Sequence, residues 1–304
     1  DLLLTLKNPA QTGFTSRFAN AGDTKGYGIE FNITSHNISN PNFNWQTNFN
    51  ISHNMSIVTD LGYGVDYVST YGSPLMFGYK VGYPANALWG YQYAGVWHST
   101  EEIEDNNYTH AYYTNTYRCG SAKYVDVNHD GSLDIEDIIY MGSTDPIVSG
   151  GLQNTFRIFK FTVDMYFTYS LGGKIYNISE NSCLGTSNQN SNKYRYMMDG
   201  WHPVRNPDSD IPSAYSTQYS SDFFIHDASY LRLKTLSVSY TFNLTKKVKW
   251  LRDITLSAYA DNLFLLDRYN GFDPDVTSSK TVRRLDNASY PNPRTYMFSI
   301  KMRY

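Results

Sequence analysis

Between residues 126 and 137 the sequence carries oxygen-bearing side chains at the spacing of a calcium-binding loop. With Asp126 as position 1, such side chains fall at positions 3, 5, 9 and 12, and Gly131 stands at position 6, where the chain must turn sharply. Ca²⁺ takes about six to eight oxygen ligands, and this spacing wraps them around one point. We therefore predict a bound calcium ion. Its ligands would be Asp126, Asn128, Asp130, Ser132, Asp134 and Asp137.

A second interpretation of this loop stays open. Position 12 is Asp137, whose side chain is shorter than the glutamate usual there, so it would reach the ion less completely. The same polar residues are also typical of Asx turns in a loop that binds no metal. If calcium binds, we expect a structural role, in which the ion neutralises clustered carboxylates and holds a long loop in place.

Aromatic residues form a second group in the same part of the chain. Trp89, Tyr91 and Trp97 carry rings that could stack on a sugar or contact a partner protein. Alternatively, the rings fold the long loop onto itself. Cys119 and Cys183 lie in two predicted loops where a disulfide is chemically allowed, but sequence does not give their Cα separation.

The sequence lacks the motifs that mark common active sites. It has no P-loop, no nucleophile elbow and no zincin helix, and its 7 histidines are scattered. Asp273 and Asp275 flank Pro274, which is typical of a turn. We therefore predict no catalytic residue and no enzyme activity. A formal net charge of -3, without a run of Lys or Arg, argues against a nucleic-acid partner.

The elements that must position these residues are strands in which apolar and polar side chains alternate. At the C-terminus Tyr296, Phe298 and Ile300 alternate with Met297 and Ser299. The same period of two recurs along the chain. It predicts strands near 2–6, 26–35, 43–53, 152–159, 161–170, 230–242, 252–262 and 294–304.

Composition indicates which all-β architecture these strands build. Only 17% of the 304 residues are charged, 16% are aromatic with 28 Tyr, and no stretch approaches the roughly 18 consecutive apolar residues of a membrane-spanning helix. In a transmembrane antiparallel β-barrel only alternate residues face lipid, so the average sequence stays polar. The mean hydropathy of -0.48 agrees with that architecture.

The predicted connections alternate between long and short. Segments 7–25, 54–151, 171–229 and 263–293 are long, whereas 36–42, the Phe159–Lys160 region and 243–251 are short. Outer-membrane barrels have long extracellular loops and short periplasmic turns. We therefore predict a multi-pass outer-membrane protein whose long segments are extracellular and whose C-terminus is periplasmic. The opening residues 1–6 look like entry into a strand without a signal peptide, so we expect one piece of a longer chain.

Several distinctive sequence blocks follow one another along essentially the whole chain. The blocks are Asn8-Pro9 to Phe14, Asn20-Ala21-Gly22, Lys25 to Glu30, Val81 to Pro84, Trp89-Gly90-Tyr91, Ala94 to Trp97, Lys123 to Gly131, Asp145-Pro146, Gly150 to Leu152, Tyr230 to Lys234, Asp261 to Phe264, Gly271 to Val276 and the terminal Tyr304. Together, and in this order, they resemble the C-terminal half of the SusC-type (SusC/RagA-like) TonB-dependent transporters of Bacteroidetes.

The resemblance implies a 22-stranded barrel in a bacterial outer membrane, of which residues 1–304 would supply about the last eight strands. It also implies an N-terminal plug domain and TonB box, absent from this chain, the TonB–ExbB–ExbD system, a SusD-like surface lipoprotein as lid, and a dimer of the complex. The implied function is TonB-driven import of a nutrient, an oligosaccharide or a peptide. Trp89, Tyr91 and Trp97 would then contact the substrate or the lid. This chain alone would not be a competent transporter.

Two other functions remain as alternatives. The first is a secreted, calcium-dependent carbohydrate-binding β-sandwich, which would be soluble without detergent and would bury its apolar faces in one core. The second is a barrel enzyme or adhesin, which would need a converging set of catalytic side chains. The aromatic terminal strand and the alternation of long and short connections favour the importer over both.

Overall fold

The structure is a computed structural model that describes residues 2–7, 10–62, 67–71, 76–106, 109–110, 117–184, 192–216, 218–244, 250–278 and 282–304. Part of the first block of the family resemblance, Asn8-Pro9, lies outside them.

Strands dominate the structure, and they are numbered along the chain. They are β1 Leu2–Lys7, β2 Ser16–Ser39, β3 Phe43–Asp60, β4 Tyr67–Tyr71, β5 Phe77–Lys80, β6 Ala87–Gly90, β7 Tyr93–Val96, β8 Thr109–His110, β9 Ala122–Tyr124, β10 Ser132–Leu133, β11 Ile139–Ser143, β12 Val148–Ile158, β13 Phe161–Leu171, β14 Lys174–Asn177, β15 Ile225–Asp227, β16 Tyr230–Asn243, β17 Asp253–Asp267, β18 Leu285–Asp286 and β19 Thr295–Arg303.

Two short α-helices, α1 Thr100–Asn106 and α2 Ile178–Leu184, and four 3-10 turns complete the described elements. The 3-10 turns are Ala10–Thr12, Ile135–Asp137, Arg195–Asp199 and Asp222–Phe224. Among the described residues no helix combines the length and the apolar character that crossing a membrane requires.

The largest sheet has eight strands in the order β1-β2-β3-β12-β13-β16-β17-β19, and every neighbouring pair is antiparallel. Chain order and spatial order agree, so the sheet is a meander interrupted by three long insertions, after β3, β13 and β17. The predicted all-β fold with eight main strands is confirmed.

The prediction of a long loop over 7–25 is wrong in its bounds, because β2 begins at Ser16 and not near residue 26. Residues 16–25 show no clear apolar alternation, so the pattern did not reveal this half of the strand. Its backbone is instead held by pairing with β1, for example Arg17 opposite Leu6. β3 and β17 also run on to Asp60 and Asp267, beyond their predicted ends.

The large sheet has two chemically different faces. Directly paired residues share a face, and Trp45, Phe156 and Val163 lie in one apolar row across β3, β12 and β13. Residues of the next row are polar, and Thr155 Oγ1 donates to Asp164 Oδ1 at 2.5 Å. The apolar face is exposed in this chain, to 73% at Ile29 and 86% at Phe298. Nothing among the described residues covers it, whereas a β-sandwich would bury such a face in its core.

Most of the buried core lies in the three insertions, whereas the large sheet contributes few buried apolar residues, such as Val58 and Leu233. One cluster joins Phe77 and Leu88 of the first insertion, Tyr176 and Phe224 of the second, and Leu285 of the third. Strand β14 of the second insertion pairs with β15 and, in parallel, with β18 of the third. The long segments therefore form one folded cap at one end of the sheet.

Candidate transport surface

A cavity of about 560 Å³ opens on the polar face of the large sheet, where β2, β3 and β12 approach the cap. The sheet contributes Gly26 and Ser52, and the cap contributes Asn86, Asp145 and Arg283. Asn86 Nδ2 donates to both oxygens of Asp145 at 3.0 Å, and Arg283 Nη1 lies 3.2 Å from Asp145 Oδ1. Hydroxyl, amide and charged groups in one cavity suit hydrogen bonding with a polar solute.

The cap is fixed to the sheet by a buried ion pair between Arg232 of β16 and Asp273 of the third insertion. Arg232 Nη2 donates to Asp273 Oδ1 at 2.5 Å, and both side chains are at most 3% exposed. Asp273 also accepts hydrogen bonds from the backbone N–H of Asp275 at 3.0 Å and from Asn292 Nδ2 at 2.9 Å. Burial raises the pKa of Asp273, but the bonds from Arg232 and the backbone outweigh it, so the pKa lies below its usual value.

This pair joins two of the sequence blocks that carried the family resemblance. Arg232 belongs to the block Tyr230 to Lys234, and Asp273 to the block Gly271 to Val276. The turn that was predicted around Pro274 is present, since the N–H of Asp275 bonds back to the Asp273 carboxylate. No pattern in the sequence indicates that the two blocks are in contact.

A second arginine fastens the cap near the end of β13. Arg284 Nη2 donates to Ser170 Oγ at 2.7 Å, and Nη1 donates to the carbonyl of Gly172 at 3.3 Å. Burial lowers the pKa of Arg284. A Cβ on Gly173 would stand 2.4 Å from Arg284 Nη1, so glycine leaves the space that this guanidinium fills.

A network of buried acids and tyrosines lies deeper in the cap. Glu180 Oε2 lies 2.6 Å from His226 Nε2, and Tyr196 donates its hydroxyl to Glu180 Oε1 at 2.7 Å. Tyr269 donates to Asp286 Oδ2 at 2.7 Å. Burial first, and then the neighbouring carboxylates, raise the pKa of Tyr196 and of Tyr269, so both hydroxyls remain protonated donors. Sequence reasoning missed this network, because its members share no local spacing.

In the predicted calcium loop, acidic side chains accept hydrogen bonds from backbone N–H groups of the loop itself. Asp126 accepts from the N–H of His129 at 2.7 Å and of Gly131 at 2.9 Å, both of which have positive φ. Asp137 accepts from the N–H of Val127 at 2.8 Å and of Asp134 at 2.9 Å. The two carboxylates that begin and end the loop are therefore buried and point into it.

The other predicted ligands also bond to backbone within the loop. Asn128 Oδ1 accepts from the N–H of Asp130, and Asp130 Oδ1 from that of Ser132. Asp134 Oδ1 accepts from the N–H of Glu136. Within the described part of the chain no group of three or more His, Cys, Asp or Glu side chains is placed to hold a metal ion. The calcium ion therefore stays a prediction.

The structure buries all three aromatic residues that were predicted to contact a substrate or a lid. Trp89 and Trp97 are at most 3% exposed and Tyr91 is fully buried. Trp89 Nε1 donates to the carbonyl of Gly78 at 3.0 Å, and the Lys123 ammonium lies 4.5 Å from the centroid of the Trp97 ring. The structure does not support direct contact of these rings with a substrate or a lid, because the rings are almost fully buried. They fold the loop, as in the alternative interpretation.

Both cysteines are free and half-buried in the structure. The disulfide that was chemically allowed between Cys119 and Cys183 is not formed.

Sequence comparison relates the chain to TonB-dependent receptors. No protein-family model matches it. It is 28% identical over 319 residues to TonB-dependent receptor P26 of Formosa agariphila, an alignment that covers 100% of this chain and 31% of that protein. It is 27% identical to TonB-dependent receptor SusC of Bacteroides thetaiotaomicron, again over 100% of this chain and 29% of that protein. The chain thus spans about a third of the length of these relatives.

Comparison of folds gives the same relation. The RagAB peptide transporter superposes with a TM-score of 0.78 over 99% of this chain and 32% of that chain, at 21% identity. The RagAB peptide importer in its open-open state gives 0.77 over 100% of this chain and 31% of that chain. At this identity the likeness establishes the fold alone.

The eight-stranded sheet is therefore a segment of a transmembrane antiparallel β-barrel, and its place is the outer membrane. By sequence and by fold, the chain is similar along its full length to about a third of a SusC-type TonB-dependent receptor, which confirms the resemblance read from its motifs.

Proposed function

We propose that this chain forms part of the barrel of an outer-membrane importer that takes up a nutrient, an oligosaccharide or a peptide, at the expense of energy delivered by TonB–ExbB–ExbD. The observation that carries the proposal is the similarity to TonB-dependent receptors, SusC among them, which extends over the full length of this chain. The two-faced sheet supports it, because one face suits lipid and the other a polar lumen.

The connections support an orientation in the membrane. Short turns follow β2 and β12, and β16 is joined to β17 within residues 244–252, whereas the three insertions leave from the opposite end of the sheet. Outer-membrane barrels place short turns in the periplasm. We infer that the cap is extracellular and that the chain ends in the periplasm.

The proposed complex has components besides residues 1–304. A plug and a TonB box would come from the remaining two thirds of the transporter, and a SusD-like lipoprotein would cover the cap. The cavity beside Asp145 faces the interior of the proposed barrel, so polar solute would pass along the side chains of that face. A dimer of the whole complex is part of the proposal.

Co-purification from native outer membranes tests this function. We expect affinity capture of this chain in detergent to bring down a SusD-like lipoprotein and the plug-bearing part of the transporter. Deletion of the gene should abolish growth on the cognate nutrient and leave growth on glucose unchanged. Recovery of the chain in a soluble fraction without such a lipoprotein would contradict the proposal and favour the secreted binding module.

We also propose that the loop from Asp126 to Asp137 binds one structural Ca²⁺. Its donors are hard oxygens, and positive φ at His129 and Gly131 already gives the sharp turn such loops use. Binding of Tb³⁺ to the transporter can be measured by sensitised luminescence. Replacing Asp126 and Asp137 by Asn should weaken that binding at least about tenfold. Asp208→Asn, in another exposed loop, is the matched control. Equal Tb³⁺ affinity of the double variant and the wild type would refute this site.

A further inference from the structure

A second cavity, of about 510 Å³, lies in the cap between the segments 118–121 and 197–215. Backbone hydrogen bonds join the two segments, since the N–H of Ser213 donates to the carbonyl of Gly120 at 2.9 Å. Gly120 has φ +83°, and a Cβ there would stand 2.4 Å from the ring of Trp201. The glycine therefore leaves room for the indole to lie close to the backbone, where it forms a wall of the cavity.

The lining combines an apolar wall with positive charge. Met198 and Tyr215 remain 77% and 84% exposed, although they are apolar or aromatic. Arg118 and Arg205 line the same cavity, and no Asp or Glu is among the described residues that do. This excess of cations is local, because the whole chain carries a formal charge of -3. The cavity thus combines guanidinium groups, which no acidic side chain of the described lining neutralises, with an apolar wall.

A smaller cavity of about 280 Å³ adjoins the first one. The two share Met197 and Met198, and the smaller one adds Lys193 and Arg195 but again no acidic residue among its described lining. We call the two cavities together the Met198 groove. Two adjoining cavities lined by four cationic side chains suit an extended ligand that carries more than one negative charge.

We propose that the Met198 groove binds short acidic peptides that also carry an apolar side chain. Guanidinium groups pair with carboxylates in a bidentate geometry that a single ammonium does not offer. Methionine side chains adapt to varied apolar side chains, and an exposed tyrosine ring adds a flat contact surface. This inference rests on the proposed import function and specifies its substrate class as acidic peptide.

The test uses the intact transporter with its lipoprotein in detergent and a fluorescein-labelled peptide of sequence Asp-Phe-Glu-Leu. We expect Arg118→Gln with Arg205→Gln to weaken its binding at least about tenfold. Arg294→Gln, an exposed arginine elsewhere in the chain, should leave the affinity unchanged. A peptide with lysine in place of both acids should bind at least about tenfold more weakly to the wild type.

The free cysteines give an independent readout. Cys119 lines the groove and Cys183 does not, so bound peptide should slow alkylation of Cys119 and leave Cys183 as the internal reference. Equal binding of the acidic and lysine peptides, or unchanged binding by the double variant, would overturn the inference. Protection of Cys119 by an oligogalacturonate but not by the peptide would also overturn it, in favour of acidic sugars. If no peptide binds although the lipoprotein co-purifies and nutrient uptake persists, only this inference fails. If the lipoprotein does not co-purify and no nutrient is taken up, the proposed function fails.

Discussion

Replacing Arg232 by methionine should lower the free energy of unfolding of the transporter by about 3–5 kcal/mol, because Asp273 would keep its burial and lose its cation. The loss should appear as a lower midpoint of guanidinium unfolding in detergent, followed by tryptophan fluorescence. Arg232→Met combined with Asp273→Leu should recover most of the stability, since it removes the stranded charge along with its partner. An Arg232→Met variant within about 1 kcal/mol of wild type would contradict the role assigned to this pair.

The acid dependence gives this prediction a second readout. The folded-state pKa of Asp273 lies below its ordinary value of 3.8, so in the wild type the contribution of the pair is present above about pH 4 and is lost as pH falls through the folded pKa. In Arg232→Met the guanidinium is lost while burial and the hydrogen bonds from Asp275 and Asn292 remain, so the pKa of Asp273 is higher than in the wild type. That variant should therefore recover part of its lost stability as pH falls and the stranded carboxylate takes a proton.

Replacing Tyr91 by alanine should loosen the cap and cost about 3–5 kcal/mol, because the fully buried ring packs between Tyr124 and Tyr219 at centroid distances of 5.7 and 6.1 Å. Tyr91→Phe keeps the ring and should stay within about 1.5 kcal/mol of wild type. Limited trypsin digestion of the transporter in detergent is the measurement, and cleavage within the cap should become much faster only in the alanine variant.

The same pair of variants separates the two interpretations of these aromatic residues. A ring that contacts substrate would lower nutrient binding when removed and leave the protease resistance of the cap unchanged. That outcome for Tyr91→Ala would contradict the core role that its burial indicates.

The strands could be predicted because each has one apolar and one polar face, which imposes a period of two on the sequence. Phe161 to Leu171 illustrates this, since the predicted and observed strands differ by one residue. β2 shows the limit of the method. Its first half is held by hydrogen bonds to β1 and has no alternating pattern to read.

The contacts of the cap could not be predicted, because they join residues far apart in the chain. Arg232 and Asp273 are 41 positions apart, and Glu180 and His226 are 46 apart. The spacing of single residues says nothing about such pairs. The aromatic segment from Trp89 to Trp97 was ambiguous for a related reason, because a ring in a loop core and a ring in a binding surface have the same sequence signature.

The membrane-spanning sheet is the central claim, and site-directed labelling of β19 tests it most directly. Phe298 and Ile300 should face lipid, and Ser299 and Lys301 the lumen. Each position is changed to cysteine in a transporter free of other cysteines, labelled with bimane and reconstituted in vesicles with brominated lipid. We predict strong quenching at 298 and 300 and weak quenching at 299 and 301. Uniform quenching, or none at any of the four positions, would contradict a strand that crosses the membrane in a barrel wall.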